Sequence, residues 1–302
     1  MPEQNKPNHV SVAIPCSVLR HKRSLAQKTV LVSQIARFCA IFKVKRILVY
    51  DDIFSTNLKA DDENFRILVK ILKYMECPQY LRKILFKEDP DLKLSGIMEP
   101  LGIASHPLIS TLCLYRIGCI DSIDSDSCLA KVNVGLNSLC TVELRKNSNF
   151  DVNQRIIVKL KMKNNIYNKV REGGKLFHEG VQVLSEEVDE YLGYKVIARK
   201  NFLDLFKLKE KPFSTIIGTS ENGMIKSNQE LALNFDLSNT LIVFGGIEGL
   251  EHLFLKNSTL KGIKASQFFD SYLNTCPNQG TRTIRTEEAM CITLSSLQDI
   301  FQ

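Results

Sequence analysis

The sequence predicts an α/β protein in which a small antiparallel β-barrel interrupts a mostly parallel sheet. Three observations carry that expectation. Unbroken apolar runs alternate with amphipathic helical stretches near the start; short alternating or β-branched runs crowd the middle; and apolar runs ending in glycine or small hydroxyl residues return in the last third. Strands that are apolar on both faces belong to a parallel sheet covered by helices. Short strands separated by Asp, Ser, Asn and Gly clusters belong to antiparallel barrels or sandwiches.

Taken in order, Val10–Ile14 (VSVAI) is a buried strand closed by Pro15, and Ser24 opens a helix on which Leu31, Ile35, Phe38 and Phe42 recur at helical spacing. Arg46–Tyr50 (RILVY) is a second buried strand, stopped by Asp51 and Asp52. Phe65, Leu68, Val69 and Leu72 mark another amphipathic helix, and Pro78 sits where a first helical turn accepts it. After about Gly102 come LCLYRIGCI, AKVNVGL, CTVEL, RIIVKLKMK and VQVL. On RIIVKLKMK, Arg155, Ile157, Lys159, Lys161 and Lys163 share one side; Ile156, Val158, Leu160 and Met162 share the other. The cationic side reads either as a track for a phosphate backbone, as in barrels of the OB type, or as a solvated face whose lysines guard an edge. Tyr194–Ala198 (YKVIA) restores the apolar character of the first zone, so the barrel reads as an insertion. Residues 1–108 and 186–302 then form the α/β domain, and residues 109–185 the barrel.

The third zone holds Ser214–Ser220 (STIIGTS), Thr240–Gly246 (TLIVFGG) and an expected strand at Phe268–Leu273. Open parallel sheets bind ligands at the carboxyl ends of their strands, where small residues let a ligand approach the backbone. Three such loops meet here. Gly245-Gly246-Ile247-Glu248-Gly249 is not the Gly-x-Gly-x-x-Gly fingerprint and stands too late in the chain for one, although Asp270 lies near the distance of a ribose-binding acid. No phosphate-binding P-loop motif exists.

Composition narrows the function. With 44% hydrophobic and 24% charged residues over 302 positions, the chain is that of a soluble globular protein, and its net charge of +7 favours an anionic partner such as RNA. Nine cysteines without a Cys-x-x-Cys pair, and five histidines that do not cluster with them, argue against a zinc site and a disulfide framework; no metal is expected. The start MPEQNKPNHV is polar, and no apolar run approaches the roughly 18 residues of a spanning helix. An intracellular protein of the nucleus, nucleolus or cytoplasm, with no membrane partner, is the expectation.

GTSENG (Gly218–Gly223), LIVFGGIEGLE (Leu241–Glu251) and NTCPNQGTRTIRTEEA (Asn274–Ala289) resemble the C-terminal motifs of the SPOUT class of RNA methyltransferases. The branch with an inserted β-barrel is also matched in order by VSVAIP, QIARFCAIFKVKRILVYDD and PLGIASHPL, and more weakly by EGVQV and YLGYKV. That resemblance implies a trefoil knot in the C-terminal segment, a homodimer, and S-adenosylmethionine as cofactor. It further implies an RNA substrate, with ribosomal RNA and a pyrimidine base nitrogen the most plausible target. The cofactor would lie among Gly218, Thr219, Ser220 and Asn222; Gly245, Gly246 and Gly249; and Asn274, Thr275, Cys276, Gln279, Gly280, Thr283 and Ile284. Relatives often carry a basic residue where this chain has Asn222, a departure that bears on cofactor or RNA affinity.

Arg282 and Arg285 are the candidate catalytic residues, to anchor a phosphate or polarise the acceptor base. The bland reading pairs them with Glu287 or Glu288. Thr286 reads as the N-cap of the last helix, with both carboxylates favouring its positive end. Arg20 and Arg37 join Lys159, Lys161 and Lys163 as RNA candidates, though Arg37 equally suits a surface ion pair. His106 is a weaker base candidate, and Cys276 a nucleophile only if a partner base exists. The alternative to an enzyme is a catalytically inactive RNA-binding or scaffold protein that keeps the fold.

Overall fold

The computed structural model describes residues 8–52, 58–124, 128–145, 149–206 and 213–301; the polar start, residues 1–7, lies outside them. It divides into two compact units. One takes the chain up to Lys73, Pro90–Pro100 and everything from Gly193; the other takes Tyr74–Asp89 and Leu101–Leu192.

The first run forms β1 (His9–Pro15), buried from Val10 onward. Ser24 caps α1 (Leu25–Ile41) reciprocally: its hydroxyl accepts the Gln27 N–H at 3.2 Å, and the Gln27 amide oxygen accepts the Ser24 N–H at 3.4 Å. β2 (Arg46–Tyr50), α2 (Leu58–Glu76) and α3 (Gln79–Leu85), which immediately follows Pro78, come next. The middle supplies β3 (Tyr115–Asp124), β4 (Leu129–Asn133), β5 (Cys140–Glu143), β6 (Arg155–Leu160), β7 (Met162–Lys163), β8 (Ile166–Tyr167), β9 (Lys169–Glu172) and β10 (Lys175–Val183). The chain then gives β11 (Lys195–Arg199), β12 (Thr215–Met224), α4 (Asn228–Asn234), β13 (Asn239–Val243), α5 (Gly249–Lys256), α6 (Ala265–Phe268), β14 (Ser271–Leu273) and α7 (Thr286–Ser296).

In the first unit six parallel strands lie in the order β11-β2-β1-β13-β12-β14. Val12 of β1 stands beside Ile47 of β2 and Ile242 of β13, and all three are fully buried. Each such side chain contributes roughly 1.5–3 kcal/mol by leaving water, which is why these strands read as unbroken apolar runs. One face of the sheet packs Ala13, Leu48, Leu241 and Val243 against an aromatic group that includes Phe202, Phe254 and Phe269.

The second unit is a closed five-stranded barrel. Antiparallel β5-β4-β3-β6-β10 closes through a parallel β5–β10 pairing, and β9 adds to β10. Ile120, Val132, Val142, Ile156, Val158 and Leu160 fill it. Helix α3 belongs to this unit because Leu81 and Cys77 pack on Ile117 and Cys119, while the Tyr80 hydroxyl donates to the Ile117 carbonyl at 2.7 Å. Gly135, with φ of +73°, lets the Tyr80 ring lie where a Cβ would be.

Three local expectations are corrected. RIIVKLKMK is not one strand: β6 ends at Leu160, and Lys163 lies in the separate β7–β8 hairpin. Asn164 and Asn165, both at positive φ, make its two-residue turn, a conformation asparagine tolerates. Phe268–Leu273 is a strand only from Ser271, because Phe268 ends α6 with its ring among Phe202, Phe206 and Phe254. The N-cap of α7 is Arg285 rather than Thr286, whose hydroxyl is engaged elsewhere.

Tyr50 ends β2 with its ring edge-on to Phe202, at 5.2 Å, and its hydroxyl donates to the buried Phe244 carbonyl at 2.5 Å. Tyr50→Phe keeps the ring and orphans that carbonyl, so urea unfolding is expected to show a loss of about 1–3 kcal/mol at unchanged slope. An unchanged midpoint would mean that the bond contributes nothing.

Candidate functional site

The carboxyl ends of β12, β13 and β14 surround a cavity of about 290 Å³. β13 leaves its ladder at Val243, and the next carbonyls need partners. Side-chain hydroxyls meet this stretch in succession: at the last ladder residue Thr219 on β12 donates to Val243 O at 3.0 Å, and beyond it Tyr50 on β2 donates to Phe244 O at 2.5 Å and Thr286 on α7 to Gly245 O at 2.9 Å. Four elements are thereby fixed around one stretch of backbone.

Gly246 is held from behind. A Cβ there would collide with the Ser17 hydroxyl and the Asp52 carboxylate. Ser17 follows β1 and Asp52 follows β2; the Ser17 hydroxyl donates to Asp52 at 2.5 Å and its N–H at 3.1 Å. Burial pushes the Asp52 carboxyl up to about 6; the two Ser17 donors oppose the rise, and the Asp51 charge adds to it.

The β14–α7 loop forms the third wall. Asn274 accepts the Cys276 N–H at 3.0 Å and donates to the Glu221 carbonyl at 2.8 Å, an Asx turn tied across to β12. The hydroxyls of Thr275 and Thr293 meet at 2.8 Å, joining this loop to α7. The Gln279 amide donates to the Thr281 carbonyl at 3.1 Å.

The cavity is lined by every cofactor candidate except two. Gly218 is buried on β12, its missing Cβ facing the Phe269 ring, and Gly280 is exposed. Arg282 and Arg285 are exposed on the loop, where neither forms the alternative side-chain pair with Glu287 or Glu288 among the described residues; Glu288 accepts the Arg285 backbone N–H at 2.9 Å. Arg285 also lines a separate groove of about 720 Å³ between α1 and α7, with Lys22. Arg20 is exposed after β1, while the Arg37 guanidinium donates to the Pro100 carbonyl at 2.6 Å. In the barrel unit Lys159 lies 5.9 Å from the Tyr115 ring centroid, Lys161 pairs with Glu179 at 3.5 Å, and Lys163 is exposed. His106 donates to the Glu76 carbonyl at 2.8 Å, so its ring is engaged in holding backbone. Cys276 is half-buried in the cavity wall.

Sequence reasoning missed Glu251, a half-buried carboxylate on the first turn of α5 that accepts the Ser220 hydroxyl at 2.5 Å and the Asn222 amide at 3.3 Å. It also missed the Ser17–Asp52 pair and the work of Tyr50 and Thr286. The only signal was proximity in the motif for Glu251; the others join residues far apart in the chain. The cavity wall carries Glu221, Glu248 and Glu251 and, among the described residues, no Lys, Arg or His. Hydroxyls, amides and exposed peptide groups can read a purine edge and ribose hydroxyls. A nucleotide phosphate would find no cation there. The donor set therefore fits a neutral or cationic nucleoside, as S-adenosylmethionine is.

A family model described as "Putative RNA methyltransferase" matches residues 9–297. The chain is 33% identical over 310 residues to the 28S rRNA (uridine-N(3))-methyltransferase of Homo sapiens, covering 98% of this chain and 79% of that one. It is 31% identical over 320 residues to the Drosophila melanogaster protein of the same name, covering 99% of this chain and 64% of that one. For the Mus musculus protein of that name the identity is 33% over 310 residues, with 98% and 77% covered.

The Asp52 carboxyl holds its proton more tightly in the folded chain than its ordinary value near 3.8 allows. Between about pH 4 and pH 6 the folded state therefore carries the extra proton, and stability falls as pH rises through that window. Asp52→Asn removes this slope. The difference in unfolding free energy between variant and wild type should shift by on the order of 2–3 kcal/mol in the variant's favour from pH 4 to pH 7. Parallel curves in urea titrations across that range would show that Asp52 carries no such strain.

Proposed function

The chain belongs to the RNA methyltransferase family whose model spans it, and on that premise we propose that the strand-end cavity holds S-adenosylmethionine while the barrel unit engages ribosomal RNA, with N3 of a uridine as acceptor. The observation that carries the reading is the cavity wall itself: three strand-end loops rich in Gly, Thr and Asn, with no cation among the described lining residues. The uridine target is taken from the names of the relatives.

Bound there, S-adenosylmethionine would supply an electrophilic methyl group on a sulfonium. The chain's own part is to hold acceptor and methyl in line, the positioning that lowers most of such a barrier. The loops that carry Thr219, Ser220, Asn274, Thr275 and Gln279 line the cavity around the nucleoside, and the fixed carbonyls of Val243 to Gly245 keep those loops from rearranging. Uridine N3 carries a proton that must leave before its lone pair can attack, and the resulting negative charge spreads to O2 and O4 of the base. Arg282 and Arg285, exposed on the β14–α7 loop, are suited to stabilise that charge or to grip a flanking phosphate.

The SPOUT assignment and its trefoil knot are supported by the path of the chain. It leaves the edge strand β14 and returns past the ends of β12 and β13 to pack α7 beside α1, with Thr286 anchored on Gly245. An OB-like role for the barrel is supported by its five closed strands and by Lys159, Lys161 and Lys163 on and beside β6. A homodimer is supported by the apolar α1–α7 groove, where Val30 is 41% exposed between Ala26, Leu31, Phe38 and Ile292. A ribosomal substrate would place the protein in the nucleolus or cytoplasm.

Two outcomes follow. Incubation with labelled S-adenosylmethionine and large-subunit ribosomal RNA should yield 3-methyluridine by mass spectrometry, and Arg282→Ala with Arg285→Ala should lower the rate at least tenfold; methyl found on another atom would refute the acceptor. Sedimentation should give a dimer for the wild type and a monomer for Val30→Glu; a monomeric wild type at micromolar concentration would refute the twofold face.

A further inference from the structure

The cavity is acidic in a chain whose net charge is +7. Its three carboxylates are not equivalent. Glu221 and Glu248 are exposed, and Glu248 lies 3.0 Å from the His252 ring. Glu251 is half-buried and held by neutral donors only: the Ser220 hydroxyl at 2.5 Å and the Asn222 amide at 3.3 Å. Burial works to raise its carboxyl, but the donors from Ser220, its own backbone N–H, Tyr272 and Asn222 outweigh that and hold it below the usual carboxylate range. It is a negative charge fixed in position, half-buried in the wall of a small cavity. The buried Tyr272 hydroxyl beside it is held protonated, chiefly by burial, with the Glu251 charge adding to the effect. Neutral donors orient a carboxylate without cancelling its charge. At an effective dielectric well below that of water, that charge acts on whatever enters.

We propose that Glu251 sets the charge preference of the cofactor cavity, favouring a ligand whose sulfur centre is cationic over the same ligand with a neutral sulfur. This rests on the cavity being the S-adenosylmethionine site. Methyl transfer breaks the S–CH3 bond, leaves its electron pair on sulfur, and so converts a sulfonium into a neutral thioether; the proton lost from the acceptor goes to solvent. Glu251 thereby stabilises the donor and not the spent product, and it biases the cavity toward exchange. Asn222 serves the same end: a cationic side chain there would neutralise Glu251, whereas the amide positions it and leaves its charge intact.

Isothermal titration of the purified chain with S-adenosylmethionine, sinefungin and S-adenosylhomocysteine tests this. Sinefungin carries an ammonium near the position of the sulfonium and transfers nothing, so it reads charge alone. In Glu251→Gln the ratio of affinities for either cationic ligand over the homocysteine should fall by about tenfold, and raising the salt should compress the wild-type ratio. Asn222→Lys, at an exposed position, should lower the same ratio with Glu251 in place, which covers the case of a Gln variant that does not fold. Equal losses for all three ligands, or an unchanged ratio in both variants, would overturn the proposal and make Glu251 a loop anchor. If the wild type binds none of the three, the assignment of the cavity fails first and this inference with it; wild-type binding with an unchanged ratio fails this inference alone.

Discussion

The site depends on what becomes of three consecutive carbonyls where β13 leaves the sheet. Val243 is the last residue of the ladder, Phe244 and Gly245 lie past it, and leaving such carbonyls buried and unpaired would cost about 1–3 kcal/mol each. Hydroxyls of Thr219, Tyr50 and Thr286 take them in turn, from β12, β2 and α7. A loop that would otherwise be the least constrained part of the sheet becomes the point where four elements are registered against one another. Gly246 extends the arrangement backward, since the space its side chain would need is filled by Ser17 and Asp52 at the ends of β1 and β2. The cavity wall is tied together because β12, β2 and α7 each contribute a bond to the same three peptide units.

Charge is distributed unevenly to match. The lysines of β6 and β7 and the arginines of the β14–α7 loop are exposed, whereas the cavity wall holds carboxylates and neutral donors. An anionic polymer and a cationic small ligand can then be bound by one chain without competing for the same groups.

Much of this was legible in the sequence. Unbroken apolar runs revealed the parallel strands because burial on both faces leaves no polar position, and Ser24 announced the start of α1 by local chemistry alone. The glycine and hydroxyl residues of the three loops were visible for the same reason: local backbone freedom needs particular residue types. What could not be read were pairings between distant positions. Tyr50 and Phe244 are 194 residues apart, and Ser17 and Asp52 are 35 apart. Nothing in either neighbourhood says that a hydroxyl or a carboxylate will be needed by the other. The β7–β8 hairpin failed differently: alternation continued through Lys161 and Met162, so period-two patterning hid the turn that Asn164 and Asn165 impose.

The strand order also bears on how the chain is made. β1 lies in the middle of its sheet, between β2 and β13, so one of its two partners is Asn239–Val243. A nascent chain that has released β1, β2, the barrel and even β11 still presents one side of β1 as an open template for pairing. The barrel, closed by its own β5–β10 ladder, offers no such invitation among its five closing strands and can mature while the rest waits. Synthesis of this protein is therefore a long interval with the centre of the sheet unzipped, ended only when the last fifth of the sequence emerges, and chaperone occupancy during translation should concentrate in that interval.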